Sequence, residues 1–230
     1  QLNTQSMVII MCGILAFHNL RYTLSTQEKQ QFDTGLQAIQ HRGPDCTLSV
    51  EFDRCILGFQ RLSIVGCDAV TDTILRNHKG DVYCICNGEI YNYKALYTKY
   101  GFTNITHSDC EIIVHLYEYY RDNQLDYCDL FRELDGVFAC YLYDMSTNTH
   151  VIARDPFGVR PLFYCNWFYK TIVASEAKSI VPFVHDIHNA TIKQFSPGHV
   201  SVHDTVLPLY TLPHSRLHLD REHVLDGIRR

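Results

Sequence analysis

Short strand patterns outnumber helical ones along this chain of 230 residues, and this restricts the fold more than any other feature. The patterns alternate polar and apolar side chains or form brief apolar runs, and short turns separate many of them. The predicted strands cover residues 12–17, 47–52, 55–59, 81–86, 137–144, 149–154, 161–165, 170–175 and 200–205. Strands joined by short turns are typical of antiparallel sheets, so we expect packed antiparallel sheets.

Two longer segments have the period of amphipathic helices. Residues 26–40 follow a capping box, in which Ser25 is the cap and Glu28 lies three residues further on. Residues 109–121 repeat apolar side chains at helical spacing. Shorter helices are predicted at 91–99, 126–133 and 176–182. The sequence therefore predicts an α+β fold with packed sheets and helices outside them.

Charge and hydropathy argue against two classes of partner. The formal net charge is only −5 at pH 7, and no cluster of Lys and Arg is longer than a pair. We therefore expect no nucleic-acid partner and no anionic membrane surface. The sequence has neither a signal-peptide pattern nor an apolar run long enough to span a bilayer, so we expect a cytoplasmic protein.

The ten cysteines and thirteen histidines do not form a recognisable metal site. No two cysteines have CxxC spacing. His185 with His188, and His214 with His218, have spacings that suit a helix face, but no further ligand completes either pair. Most cysteines lie in apolar runs, so we expect reduced structural thiols, with the exception of Cys12. We expect no cofactor or metal in this domain.

Candidate chemical groups lie at the ends of predicted elements. Cys12 stands at the start of an apolar strand, where its thiol can act as a nucleophile. Asn87 and Gly88 directly follow a strand, and a tight turn there would aim an amide side chain and a backbone N–H at one point. Arg61 suits a carboxylate and Asp109 suits an ammonium group. Such a set meets the needs of hydrolysing the side-chain amide of a free amino acid.

Each of these residues also has an ordinary structural interpretation. Cys12 alone fits a buried core thiol, and Asn87 with Gly88 fits a simple turn. Arg61 alone fits a surface ion-pair partner, and Asp109 fits a helix cap. The functional interpretation depends on further motifs and on their order along the chain.

Eight segments carry that further information. In chain order they are Met11-Cys12-Gly13-Ile14, His41-Arg42-Gly43-Pro44-Asp45, Arg61-Leu62-Ser63-Ile64-Val65, Asn87-Gly88-Glu89-Ile90-Tyr91-Asn92, Ser108-Asp109-Cys110-Glu111, Asp135-Gly136-Val137-Phe138, Ala153-Arg154-Asp155-Pro156-Phe157-Gly158 and Ala174-Ser175-Glu176. Together they resemble the class II glutamine amidotransferase domains, and most closely those of glutamine-dependent asparagine synthetases. This family belongs to the N-terminal nucleophile hydrolases, so the resemblance implies a four-layer αββα sandwich.

The resemblance also implies roles for the matched residues. Cys12 would supply the thiolate, while its own free α-amino group moves the proton. The side chain of Asn87 and the N–H of Gly88 would form the oxyanion hole, and a γ-glutamyl thioester would be hydrolysed to glutamate. Arg61 would hold the glutamine carboxylate, Asp109 would hold the α-ammonium, and Arg42 would order the loop around the nucleophile. The implied substrate-binding residues are Arg42, Arg61, Ile64, Val65, Glu89 and Asp109.

The need for a free α-amino group conflicts with the eleven residues before Cys12. We expect residues 1–11 to be an upstream or processed segment, with translation from Met11 and Met removal exposing Cys12. Residues 12–205 would form the amidotransferase domain. Residues 206–230 would be a linker and the start of a missing C-terminal synthetase domain, which would use ATP and magnesium to amidate aspartate. The resemblance is compatible with a homodimer.

Two other functions fit the same motifs. The domain could deliver ammonia to another acceptor, such as a sugar phosphate or a ribosyl pyrophosphate. It could instead be a non-catalytic glutamine-sensing module whose N-terminus is blocked. The family usually has a His two residues before the Arg61 position, where this chain has Phe59, so we expect altered hydrogen bonding near the substrate pocket.

Overall fold

Two six-stranded sheets form the centre of the computed structural model, which describes residues 12–62, 74–184 and 190–210. The first sheet has the order β10 (Lys193–Gln194), β8 (Phe163–Trp167), β9 (Lys170–Ala174), β1 (Gly13–Asn19), β3 (Cys55–Arg61) and β2 (Cys46–Glu51). The second has the order β12 (Thr205–Pro208), β11 (His199–Val202), β7 (Thr149–Arg154), β6 (Gly136–Asp144), β5 (Val82–Ile90) and β4 (Ile74–Arg76). The strand pairs described in both sheets are antiparallel, as predicted.

Some predicted features lie outside the described residues. They include the implied substrate-binding residues Ile64 and Val65, the two histidine pairs, residues 1–11 and residues 211–230. Their assignments stay predictions.

Five helices and three short 3₁₀ turns complete the elements of the described residues. The helices are α1 (Thr26–Ala38), α2 (Tyr93–Tyr100), α3 (Ile112–Asp122), α4 (Tyr127–Arg132) and α5 (Val181–Val184). The 3₁₀ turns are Gln40–Arg42, Asp109–Glu111 and Ala177–Ser179.

Three hydrophobic clusters separate these elements into layers. On β1, Ile14 contributes to a cluster between the two sheets, while its neighbour Leu15 contributes to a cluster with Phe32 of α1. Successive residues of a strand point to opposite faces, which explains this division. A third cluster joins the second sheet to α2, α3 and α4, and includes Leu116 of α3. The fold is therefore a four-layer αββα sandwich, which confirms the predicted fold class.

The predicted capping box begins α1. The Ser25 hydroxyl oxygen accepts the Glu28 N–H at 3.2 Å, and the Glu28 carboxylate accepts the Ser25 N–H at 2.8 Å. Both partners satisfy N–H groups that the first turn of a helix leaves unpaired. The cap fixes the start of the helix whose buried Phe32 and Leu36 cover the first sheet.

Ser25→Ala is expected to lower the free energy of unfolding by about 1 kcal/mol, because it removes the acceptor of the cap. Urea denaturation followed by circular dichroism measures this change. The control is Ser49→Ala on the exposed face of β2, which should leave the free energy of unfolding almost unchanged. Equal effects of the two variants would contradict a capping role.

The predicted turn at Asn87 and Gly88 is wrong, because β5 continues through both residues to Ile90. The pairing with β6 places Asn87 opposite Ala139 and Gly88 opposite Phe138. A Cβ atom at Gly88 would lie 2.4 Å from the Val137 carbonyl oxygen, so the glycine permits a close approach of the two strands. Pairing along nine residues of each strand overrides the local preference of an Asn-Gly pair for turns.

The predicted helix at 109–121 consists of two elements. Residues Asp109–Glu111 form a 3₁₀ turn, and α3 begins only at Ile112. A 3₁₀ turn at the start of a helix is common, because it tightens the first turn. The division matters for the site, since it places Asp109 ahead of the regular helix.

Candidate functional site

Cys12 lies directly before β1 and is half-buried. The Leu62 N–H donates to its Sγ at 3.4 Å, and Sγ lies 3.9 Å from the Leu62 carbonyl oxygen. Its side chain packs against the cluster between the sheets. Two residues on, the Ile14 N–H donates to the Ser175 hydroxyl at 3.0 Å, and the Ile14 carbonyl accepts the Ser175 N–H at 2.9 Å. The start of β1 is therefore fixed on both sides of the thiol.

Arg42 fixes the backbone of the same residue. Its Nε donates to the Cys12 carbonyl oxygen at 3.1 Å, and its Nη1 donates to Glu176 Oε1 at 3.0 Å. Nε2 of His41 lies 3.0 Å from the same Glu176 oxygen, and Lys178 Nζ lies 3.0 Å from the other one. Burial opposes the charge on Glu176, but the bonds from Lys178 and Arg42 outweigh it and lower the pKa of the carboxyl. Arg42 thus orders the chain at the thiol, as the resemblance implies.

Glu176 is a site residue that the sequence reasoning missed. It belongs to the noted motif Ala174-Ser175-Glu176, but no role was assigned to it. The available signal was a carboxylate in one motif and the basic pair His41 and Arg42 in another. A separation of 134 residues between Arg42 and Glu176 hides such a pair from any local pattern.

Asn87 faces the layer between the sheets. Its neighbour Ile85, two residues earlier on β5, belongs to the cluster in that layer, and alternate strand residues share a face. Asn87 is only 2% exposed, and its Nδ2 has no hydrogen-bond partner among the described residues. Buried polar groups are rarely left unpaired, because desolvation without a bond costs free energy. An unpaired amide donor in the layer that Cys12 contacts is thus typical of a ligand site.

The N–H and carbonyl groups of Gly88 point away from β6. Phe138, which lies opposite Gly88, uses its own N–H and carbonyl for Asp155 on the other side. In an antiparallel pair the N–H and carbonyl of one residue point to the same edge. The Gly88 carbonyl accepts the Cys110 thiol at 3.5 Å, and among the described residues β4 pairs with residues 83–85 of β5. The Gly88 N–H therefore points to the edge of β5 where Cys110 lies.

Cys110 is a buried thiol at this edge of β5. Its hydrogen bond with Cys86 lowers its pKa, but burial and the negative charge of Asp109 outweigh that bond and raise the pKa. Cys12 packs against the cluster that Ile85 of β5 joins, so the Cys12 thiol and β5 share the layer between the sheets.

Asp109 contacts the same strand edge. Its carboxylate accepts the N–H of Ile90, two residues beyond Gly88. Burial raises the pKa of this carboxyl, the Ile90 N–H opposes the rise, and the charge of Glu89 adds to it. The helix-cap interpretation does not hold, because Ser108 is the cap residue of the 3₁₀ turn and makes no side-chain cap bond. Glu89 is exposed, with a carboxylate oxygen 3.8 Å from Arg160 Nη2.

Arg61 ends β3 and is half-buried. Its carbonyl accepts the Asp45 N–H at 3.2 Å, and the next residue is Leu62, whose N–H contacts Cys12 Sγ. The structure thus places Arg61 beside Cys12. Phe59 is buried in the cluster between the sheets. The adjacent Gln60 lies on the opposite face of β3, where its amide accepts the Thr47 hydroxyl at 2.7 Å and donates to the Leu36 carbonyl of α1 at 2.9 Å.

Arg154 and Asp155 have structural roles in the loop after β7. The Arg154 guanidinium donates to the carbonyl oxygens of Gly158, Arg160 and Phe195 at 2.6–2.7 Å. The Asp155 carboxylate accepts the N–H groups of Phe138, Phe157, Val159 and Arg160. The two residues therefore hold the loop and the start of β6 together.

The described residues offer no group of three or more His, Cys, Asp or Glu side chains that could bind a metal ion. The nine cysteines among them are free thiols. Within the same ranges, no helix combines the length and the hydropathy needed to cross a membrane.

Comparison with known proteins places this geometry in a family. Residues 11–209 match the sequence family described as the glutamine amidotransferase domain. Asparagine synthetase B (glutamine-hydrolysing) of Escherichia coli is 34% identical over 191 residues, which cover 82% of this chain and 32% of that protein. The glutamine-hydrolysing asparagine synthetase of Gallus gallus is 36% identical over 202 residues, which cover 84% of this chain and 34% of that protein. The chain thus spans about a third of the length of these relatives.

A solved structure shows the same fold. Glutamine phosphoribosylpyrophosphate amidotransferase from B. subtilis, complexed with ADP and GMP, superposes with a TM-score of 0.64 at 18% sequence identity. The superposition covers 87% of this chain and 50% of that one. It confirms the predicted sandwich of the N-terminal nucleophile hydrolase type. With the match over residues 11–209, the chain belongs to the family of glutamine amidotransferase domains.

Proposed function

We propose that this domain hydrolyses glutamine to glutamate and ammonia, with Cys12 as the nucleophile. The observation that carries the proposal is the buried, unpaired Nδ2 of Asn87 in the layer that Cys12 contacts. Together with the N–H of Gly88, this amide supplies two donors for a negatively charged oxygen. A thiol beside two such donors suits the attack on an amide carbonyl.

The reaction proceeds in two stages. The Cys12 thiolate attacks the side-chain amide carbon of glutamine, and the oxyanion that forms accepts hydrogen bonds from Asn87 Nδ2 and the Gly88 N–H. The carbon–nitrogen bond then breaks, the nitrogen takes a proton and ammonia leaves, so that a γ-glutamyl thioester remains. Water attacks the thioester, glutamate departs and the thiol is restored. The free α-amino group of Cys12 moves the proton in each stage.

The two ends of glutamine bind to opposite charges. Arg61 holds the α-carboxylate from the end of β3, and Asp109 with Glu89 holds the α-ammonium at the edge of β5. The raised pKa of Asp109 supports this assignment, because an incoming ammonium group would stabilise a carboxylate that burial disfavours. Ile64 and Val65 complete the binding set by resemblance.

The ammonia serves an ATP-dependent domain that amidates aspartate. The relatives named as asparagine synthetases support this step, and the chain spans only about a third of their length. ATP and magnesium belong to that second domain. The acceptor chemistry is therefore carried by residues beyond this domain or by a partner chain.

The test compares two forms of the protein in an assay of glutamate release from glutamine. One form begins at Cys12, and the other retains residues 1–11, so that the nitrogen of Cys12 is an amide without basicity. We expect turnover by the first form and a loss of about 100-fold or more in the second, because proton transfer by a positioned base contributes at least this factor. Mass spectrometry establishes the N-terminus of each form. Glutamine binding without turnover by the form that begins at Cys12 would contradict the proposal and favour a glutamine-sensing module.

A further inference from the structure

Glu111 lies two residues beyond Asp109, at the end of the same 3₁₀ turn, and its side chain is fully buried. Burial of a carboxylate is costly unless hydrogen bonds or an opposite charge compensate it. In Glu111, burial would raise the pKa, but bonds from His115, from the Thr106 hydroxyl and from backbone N–H groups outweigh it and lower the pKa to about 2. The side chain is therefore held as an anion inside the helical layer.

The four donors around this carboxylate come from both sides of Asp109. Oε1 accepts the Ile105 N–H at 2.5 Å and lies 2.8 Å from His115 Nε2 on α3. Oε2 accepts the Thr106 N–H at 2.5 Å and also the Thr106 hydroxyl. The loop before the 3₁₀ turn and the helix after it are thus tied to one carboxylate.

Asp109 lies within the segment that this carboxylate closes. The Ser108 N–H donates to the Thr106 hydroxyl oxygen at 3.2 Å, so the chain turns back towards Glu111 just before Asp109. The position of the Asp109 carboxylate against the Ile90 N–H then depends on a loop that Glu111 holds. The strand that carries Asn87 and Gly88 is held separately, by its pairing with β6.

We propose that Glu111 is a positioning residue for recognition of the α-ammonium group of glutamine. The inference rests on the proposed function, since it acts through Asp109. Glu111 does not touch the substrate; it sets where the Asp109 carboxylate stands relative to the strand edge. Its loss should therefore affect how tightly the amino end of the substrate binds, and leave the chemistry at the amide end unchanged.

The test uses Glu111→Gln in the protein that begins at Cys12. The variant keeps the shape of the side chain, but its NH₂ group would face N–H donors that a carboxylate oxygen of Glu111 now accepts. Two substrates are compared: glutamine, and glutaramate, which is glutamine without its α-amino group. We expect kcat/KM for glutamine to fall about 10-fold or more, mainly because KM rises. This is the effect of losing a hydrogen bond or ion pair to a charged group. The kcat/KM for glutaramate should stay at the wild-type value.

Two further variants separate positioning from general stability. Thr106→Val removes only the hydroxyl donor to Glu111. Like Glu111→Gln, it should lower the ratio of kcat/KM for glutamine to kcat/KM for glutaramate, but by a smaller factor. Glu118→Gln lies on α3, which follows that turn, and removes one partner of Lys79, 2.7 Å away, so it should leave the preference unchanged. If Glu111→Gln fails to fold, Thr106→Val decides the question alone.

Equal losses with both substrates would overturn the proposal, because a merely structural role lowers every activity together. Failure of the wild-type protein to hydrolyse glutamine would instead count against the proposed function. In that case calorimetric titration with glutamine and with glutaramate replaces the assay. Unchanged glutamine binding by Glu111→Gln would then overturn the positioning role, and weaker binding of glutamine alone would support it.

Discussion

Replacing Cys12 with alanine is expected to abolish glutamate release from glutamine while the protein keeps its fold. The thiol is half-buried and packs against the cluster between the sheets, so its removal leaves the surrounding strands in place. Water held in the same site is a far weaker nucleophile than a thiolate. We expect kcat to fall by roughly 10⁴-fold or more, as for the loss of other enzymatic nucleophiles. The measurement is single-turnover release of glutamate, with the thermal unfolding temperature recorded for each protein.

The matched control is Cys128→Ala on α4. Cys128 is a buried thiol in the cluster of the helical layer, so its replacement removes a sulfur without touching the candidate site. Cys128→Ala should lower the free energy of unfolding by about 1 kcal/mol, as other small deletions in a core do, and should keep the wild-type kcat. Glutaminase activity that survives Cys12→Ala would rule out the thiol mechanism.

Asn87→Ala should separate activity from stability. The Nδ2 of Asn87 bonds to no described residue, so its removal costs the fold little beyond the volume of the side chain. In the reaction, by contrast, the same group would donate to the oxyanion. Loss of one such donor lowers kcat by about 100- to 1000-fold. Steady-state kinetics with glutamine and urea denaturation measure the two effects in one preparation.

Asn92→Ala is the control for this prediction, because it should give the opposite pattern. Its amide nitrogen donates to the Glu133 carbonyl at 2.8 Å, and its amide oxygen accepts the Asp135 N–H at 3.0 Å. Both bonds join α2 to the loop before β6, so their loss should lower the free energy of unfolding by about 1–3 kcal/mol. The kcat of Asn92→Ala should remain near the wild-type value. A stable Asn87→Ala protein with normal kcat would exclude Asn87 from the oxyanion hole.

Local signals in the sequence predicted the elements that local interactions stabilise. The capping box of Ser25 and Glu28 is one case, since both partners lie within four residues of each other. The course of β5 is the opposite case. The pair Asn87 and Gly88 favours a turn when only its neighbours are considered, but the partner strand lies about fifty residues further along the chain. Pairing across such a separation has no short-range signature.

The candidate site shows the same limit. The order of the motifs pointed to Cys12, Arg61, Asn87 and Asp109, and their joint role in one site stays a prediction. The roles of Glu176 and Glu111 were not predicted, because both act through backbone or side-chain contacts that appear only once the chain is folded. Glu111 was quoted in its motif, but its burial beneath Asp109 could not be inferred from the spacing. The assignments of Ile64 and Val65, and the domain boundaries, stay predictions.

The edge of β5 that carries the Gly88 and Ile90 N–H groups has a consequence for substrate length. Gly88 and Ile90 present their N–H groups on the same side of one strand, about 6.6 Å apart at the rise of an extended chain. In the proposed reaction the Gly88 N–H would bind the oxyanion, while the Ile90 N–H holds the Asp109 carboxylate assigned to the α-ammonium. A strand paired in a sheet has a fixed length, so the distance between these two N–H groups would set the length of the side chain that binds. On this assignment we expect asparagine, which is one methylene shorter, to be a poor substrate.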